Sequence, residues 1–257
     1  MRQFLLPVEY SGEPEVELEG EKAHYLVRVL RLGRDDSFPA IDAAGNHYHC
    51  TIRRLEPTLL LRVQKKGAAT DDRPQIRIVQ SIPKRRKIDD IIRRCTEAGI
   101  AELQPVVSDR TVVRLAEQDV AKKLARWRRV ATEAVQQSGS PVPVTILEPM
   151  PLERYLSTLP EAEESLRLML HQAPLANCSL HRYLAESDTE GTGTFSLELA
   201  VGPEGGFSER ELAIFRSARY KPVYLGPQVL RTETAALYAT AAVQIILLER
   251  SEWRLKK

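Results

Sequence analysis

Two short segments combine residue types and spacings suited to holding a ligand. The first is Val201-Gly202-Pro203-Glu204-Gly205-Gly206-Phe207. The second is Leu225-Gly226-Pro227-Gln228-Val229-Leu230-Arg231-Thr232-Glu233-Thr234-Ala235. Each follows an apolar stretch that reads as a strand and precedes one that reads as a helix. In an open α/β sheet the loops at the carboxyl ends of strands are where ligands bind. Glycines at 202, 205, 206 and 226 let backbone amide and carbonyl groups approach a ligand with no Cβ in the way. The prolines hold each loop in one shape, so little ordering entropy is lost on binding. Spacing excludes the familiar alternatives. Neither loop has the G-x-G-x-x-G run of a dinucleotide site, neither closes on the Gly-Lys-Ser/Thr of a P-loop, and there is no G-x-S-x-G elbow.

Metal and disulfide chemistry are not expected. Cys50, Cys95 and Cys178 are far apart and form no C-x-x-C pair. His47 and His49 share one face of a strand, but no further ligands stand near them, so they read as a surface pair. Trp127 falls in an apolar helical stripe and reads as core.

The elements that position the two loops follow from periodicity. After Pro74 strand and helix alternate, with strands at 76–82, 101–107, 166–170, 195–201 and 223–225. Helices are expected at 84–98, where Gly99 acts as the stop, and at 119–137, 208–219 and 232–249. The third opens with Ser208 and Glu211 spaced as a capping box. This alternation predicts a parallel sheet covered by helices on both faces. The final helix is apolar nearly all round, which suits either a central core helix or a subunit interface. The first 67 residues read differently, as strands at 3–7, 16–18, 37–42, 48–55 and 59–64 with one helix at 21–31 stopped by Gly33. That pattern predicts a small β-barrel. Residues 68–74 are small, polar and end in Pro74, and so read as a linker to a second domain over 75–257.

The chain has 257 residues, of which 43% are hydrophobic and 28% charged, enough for a sizeable core. No apolar run is long enough to span a bilayer, and the opening residues lack a signal-peptide core, so a cytoplasmic protein is expected. The net charge of +2 is unevenly spread. Residues 73–140 carry 15 basic and 8 acidic side chains, net +7, against −2 before and −3 after. Such a basic stretch favours a polyanionic partner.

Taken with the rest of the chain, the two loops resemble the signature of the ribosomal RNA small subunit methyltransferase E family. Gly202 to Phe207, Leu225-Gly226-Pro227 and Leu230 to Ala235 carry the resemblance most specifically. Its N-terminal part rests on Arg2 and on His24, Arg28-Val29-Leu30-Arg31 and Gly33. Thr96-Glu97-Ala98-Gly99, Trp127 and Glu133-Ala134 with Gln137-Ser138 also match. Gln228 and Ser140 stand where members often carry arginine. The resemblance implies a trefoil-knotted methyltransferase domain of the SPOUT class behind a PUA-like RNA-binding barrel. It implies homodimers that methylate N3 of one uridine in 16S rRNA with S-adenosylmethionine, with no metal. The cofactor would be held by Leu170, His171, Gly202, Pro203, Glu204, Gly205, Gly206, Leu225, Gly226, Val229, Leu230, Thr234 and Ala235.

The implied reaction assigns two side chains. Uridine N3 must lose a proton before it attacks a sulfonium methyl, and Arg231 is the cation expected to stabilise the resulting anion. Glu233 is the candidate proton acceptor, against its simpler role as an acid complementing a helix N-terminus. RNA contacts are expected from Arg2, His24, Arg28 and Arg31 in the barrel. In the basic stretch they are expected from Lys84, Arg85, Arg86, Lys87, Arg94, Arg126, Arg128 and Arg129. The rival readings are a ribose 2′-O-methyltransferase of the same class and a non-catalytic RNA-binding protein.

Overall fold

The structure is a computed structural model that describes residues 3–68, 74–113, 116–140, 143–160, 165–172, 179–187 and 196–250. Its contacts divide the chain into two units. One comprises Met1–Asp71 with Val135–Pro143, the other Asp72–Ala134 with Val144–Lys257.

The first unit is built on β1 (Phe4–Leu5), β2 (Glu15–Leu18), α1 (Gly20–His24), β3 (Ser37–Ile41), β4 (Asn46–Arg54) and β5 (Leu59–Ala68). They form one five-stranded sheet in the order β1-β3-β4-β5-β2, antiparallel except for β1 beside β3. Alternation along β4 buries Tyr48, Cys50 and Ile52, which meet Phe4, Leu18, Phe38 and Leu61 from the other strands in a single core. The expected helix over 21–31 is in two parts. Behind α1, Tyr25–Val29 forms a wider turn in which the Leu30 amide donates to the Tyr25 carbonyl five residues back, at 2.9 Å. Arg31, in the left-handed region at φ 56°, reverses the chain before Gly33 is reached.

The second unit contains β6 (Gln75–Ser81), α2 (Lys87–Glu97), β7 (Glu102–Val107), α3 (Glu117–Ser138), β8 (Thr145–Ile146), β9 (Met150–Pro151) and α4 (Leu152–Ser157). After these come β10 (Leu166–Leu170), α5 (Leu180–Glu186), β11 (Ser196–Val201), α6 (Glu209–Ser217), β12 (Lys221–Val223) and α7 (Thr232–Arg250). The end of α3, from residue 135, counts with the first unit. The strands make one sheet, β12-β10-β11-β6-β7-β8, with β9 also beside β7, and every pairing is parallel.

Two cores lie on its two faces. Ile76 and Ile78 of β6 and Leu197 and Leu199 of β11 point toward α2, α3, α5 and α7. Val79, Val106, Met169 and Ala200 point the other way, toward α4 and α6 with Phe215 and Tyr220. Fully burying one such aliphatic side chain contributes about 1.5–3 kcal/mol. At the amino ends of the strands the buried Glu198 carboxylate accepts from Arg77 Nη1 (2.9 Å), the Tyr155 hydroxyl (3.0 Å) and the Tyr220 hydroxyl (2.5 Å). Arg77 also pairs with Glu102 at 2.6 Å. Burial first, and then the Glu198 charge, hold both phenols above their ordinary range. This rim of the sheet is closed by charge pairing; the opposite rim carries the open loops.

Among the described residues no helix is long and apolar enough to cross a membrane. None of the described His, Cys, Asp and Glu side chains forms a group able to hold a metal ion.

Candidate active site

The strand order sets β12, β10 and β11 side by side, so the loops leaving their carboxyl ends are neighbours. They surround a cavity of about 410 Å³. Leu170, His171 and Gln172 line it after β10, Val201 to Phe207 after β11, and Leu225, Gly226 and Gln228 to Thr232 after β12. Ala235 of α7 and Arg110, from the loop after β7, complete it. The His171 amide donates to the Val223 carbonyl at 3.0 Å, extending the β10–β12 pairing to the cavity edge.

The first glycine loop is folded tightly on itself. The Gly206 amide donates to the Pro203 carbonyl at 2.9 Å, closing a turn that places Gly206 at φ 68°, a conformation L side chains disfavour. A Cβ at Gly202 would stand 3.3 Å from Gly206 Cα, and one at Gly205 would stand 3.3 Å from Arg110 Cδ. Arg110 also fixes this turn by donating from Nη1 to the Gly205 carbonyl at 2.6 Å. The Gly202 carbonyl accepts from Thr232 Oγ1 at 2.8 Å, and Thr232 Oγ1 in turn accepts from Gln80 Nε2 at 3.0 Å. The start of α7 is thereby tied to the first loop and to the central strand β6.

Behind the loop, α6 opens with the expected capping box. The Glu211 amide donates to Ser208 Oγ at 3.2 Å, and the Ser208 amide donates to Glu211 Oε2 at 2.8 Å. Glu211 is 1% exposed, and its other oxygen accepts from the Asp109 amide at 2.7 Å. One carboxylate thus fastens the loop after β7 to the loop after β11.

Glu204 lines the cavity and its carboxylate reaches the start of α2. Its oxygens accept from the Lys84 amide at 3.3 and 3.4 Å, and Oε1 lies 3.2 Å from Lys87 Nζ. Burial alone would raise this carboxyl. Hydrogen bonds from its own backbone amide, from Lys87 and from the Lys84 amide outweigh that, and the net position is below the usual carboxylate range.

Of the thirteen positions expected to hold a cofactor, all but Thr234 line the cavity. Thr234 is exposed. Arg231 lines the cavity and is exposed at its edge. Glu233 does not line it; its Oε2 lies 3.4 Å from Lys87 Nζ. Residue types along the second loop hide this difference, but helical phase reveals it. Thr232 and Ala235, three apart, face the cavity, and the two residues between them rotate away.

Sequence reasoning missed Arg110 and Gln172, while Val201, Phe207, Gln228 and Thr232 lie in the two segments it singled out but were not among the positions expected to hold the cofactor. Arg110 was open to the same rule that found the other loops, because Ser108-Asp109-Arg110 follows an apolar parallel strand.

The cations expected to meet RNA are variously engaged. His24, Arg28 and Arg31 of the first unit are exposed, as are Lys84, Arg85, Arg86, Arg94 and Arg129 of the second. Lys87 is half-buried in its two ion pairs. Arg126 pairs with Asp89, and Arg128 Nε donates to the Ile146 carbonyl at 3.4 Å. Arg2 lies outside the described residues. Trp127 is in the core, as expected.

Comparison with known proteins gives consistent matches. The family described as RNA methyltransferase domain matches residues 71–244, and the RNA methyltransferase PUA domain family matches residues 18–61. Ribosomal RNA small subunit methyltransferase E of Aquifex aeolicus is 33% identical, over 85% of this chain and 89% of the relative. The Synechocystis protein of the same name is 28% identical over 91% of this chain and 74% of its own length. Among solved structures, a ribosomal RNA small subunit methyltransferase E from Neisseria gonorrhoeae, bound to S-adenosyl methionine, superposes with a TM-score of 0.81. It is 28% identical, over 96% of this chain and 98% of that one.

Proposed function

The chain belongs to the ribosomal RNA small subunit methyltransferase E family, and from that premise we propose that it methylates N3 of a uridine in the 16S rRNA of the small ribosomal subunit, with S-adenosylmethionine as donor. The observation that carries this reading is the meeting of three strand-end loops, with both glycine-proline segments, around one cavity. Its lining suits a nucleoside with a zwitterionic tail. Glycine backbone at Gly202, Gly205 and Gly206 lets a ligand approach the loop closely, in a shape fixed by the bonds to Thr232, Arg110 and Pro203, while Leu170, Val201, Leu225 and Leu230 supply apolar walls. These residues would hold the cofactor, which when bound supplies an electrophilic methyl group on a sulfonium sulfur.

The remaining work falls to the chain. Its walls keep bulk water from the methyl group. Arg231, at the cavity edge, stabilises the anion formed when uridine N3 releases its proton to solvent at the cavity mouth. The first unit, with His24, Arg28 and Arg31 exposed, docks RNA by its phosphates, as do the exposed cations of the α2 turn. In this reading the barrel spans residues 1–67, a linker 68–74, and the methyltransferase domain, knotted as in the SPOUT class, 75–257. The enzyme acts in the cytoplasm as a homodimer. Support for the dimer comes from α7, where Tyr238 and Ile245, each 53% exposed, stand one heptad apart on a largely apolar helix.

Calorimetry with S-adenosylmethionine and its demethylated product, followed by mass spectrometry of nucleosides from treated small subunits, tests the reading. Binding of both ligands and new 3-methyluridine are expected. A 2′-O-methylated product would assign the ribose reaction, and absence of cofactor binding would leave an RNA-binding protein.

A further inference from the structure

One ammonium group reaches both arms of the cavity wall. Lys87 lies in the first turn of α2, outside the lining, with its Nζ 3.2 Å from Glu204 Oε1 and 3.4 Å from Glu233 Oε2. Glu204 belongs to the turn after β11. Glu233 belongs to the first turn of α7, directly behind the loop after β12. The side chains of Lys87, Glu204 and Glu233 are 31%, 28% and 15% exposed, so their charges are screened less than those on open surface. Glu233 Oε2 accepts no hydrogen bond among the described residues, which leaves the Lys87 charge as its compensation.

We propose that Lys87 is a positioning residue, a clasp that joins Glu204 to Glu233 and so sets the spacing between the two cofactor loops. The proposal rests on the cofactor-binding reading given above. It gives both carboxylates a holding role and takes Glu233 out of proton transfer. A carboxylate beside an ammonium group and outside the cavity lining is badly placed to receive a proton from a base held within it. Glu204, held ionised, is a suitable second arm. Without Lys87 two carboxylates share the space with no counter-charge between them, and their repulsion spreads the loops. The cost appears in cofactor binding, because a ligand must then order a wall that the free protein no longer holds ready.

The test compares wild-type protein with Lys87→Met, Lys87→Arg, Glu204→Gln and Glu233→Gln, using calorimetric S-adenosylmethionine affinity and steady-state kinetics. Lys87→Met should weaken binding about tenfold while kcat at saturating cofactor changes less than about threefold, and Lys87→Arg should restore most of the affinity. Adding Glu204→Gln to Lys87→Met should cost far less than Glu204→Gln alone. Should Lys87→Met fail to fold by circular dichroism, Glu233→Gln decides, because Glu233 lies outside the cavity lining and its loss must still weaken S-adenosylmethionine binding.

Unchanged cofactor affinity in Lys87→Met overturns the clasp. So does a Glu233→Gln enzyme that binds normally but has lost turnover and one limb of its pH profile, which would make Glu233 the base. A Lys87→Met protein with normal cofactor binding and a shallower salt dependence for RNA would make Lys87 a phosphate contact. If the wild-type protein itself binds no S-adenosylmethionine, the functional reading falls first and the clasp with it.

Discussion

Arg231 is a cation at the cavity edge, on the last residue before α7 begins. Arg110 also lines the cavity, but its guanidinium is engaged with the Gly205 carbonyl, so it shapes the wall. Replacing Arg231 with alanine should lower kcat by about a hundredfold or more and change cofactor affinity by less than about threefold. Parallel losses in both would make it a cofactor ligand. At this scale the sequence was informative wherever loop backbone lines the cavity, because glycine and proline announce such loops directly. It was less informative for side chains. Glu233 and Thr234 sit in the same motif as Arg231, yet helical rotation carries them away from the cavity, and only the register of the first turn of α7 shows that.

Among the elements, α6 is defined by its start. Ser208 and Glu211 exchange hydrogen bonds, and Glu211 also holds the Asp109 amide, so this cap anchors two loops that line the cavity. Ser208→Ala should destabilise the protein by about 1 kcal/mol, which in a chain of this size lowers Tm by roughly 2–4 °C in a thermal melt. An unchanged Tm would mean the cap is redundant with the Glu211 bonds. The capping box was readable because it needs only two residue types at a fixed spacing. Helix α2 begins three residues later than its apolar pattern suggests. Arg85 adopts a left-handed conformation at φ 59°, and the chain turns there before the helix can start. The two-residue strands β8 and β9 had no pattern to read. They exist because β7 offers an edge to pair with, and that is a tertiary fact. The β12 strand ends two residues earlier than its apolar residues suggest, at Val223, and the freed Tyr224 and Leu225 enter the loop.

For the whole molecule, strand–helix alternation indicated a parallel sheet covered on both faces, and the sheet has that form. Its order was not legible, because alternation says nothing about β11 entering between β10 and β6. That insertion gathers the three loops. Helix α7, which suits either a core helix or a subunit interface, is core along one face and uncovered along another. Ala236, Ala239 and Val243 are buried, while Tyr238 and Ile245 are exposed. If the homodimer forms through this stripe, Tyr238→Glu combined with Ile245→Glu should shift the mass in sedimentation or light scattering from two chains to one. A mass unaffected by both substitutions would place the interface elsewhere.

The first unit is assembled from two stretches of chain, residues 1–71 and 135–143, and the Gln3 amide donates to the Gln136 carbonyl at 3.1 Å. A cut at residues 68–74 therefore does not separate this unit whole. A crossover within residues 68–74 would hand a homologue the front of this unit while leaving it another lineage's 135–143. Backbone bonds such as Gln3 to Gln136 survive any such exchange, so what a chimaera joined at that seam must reconcile is side-chain fit between two lineages.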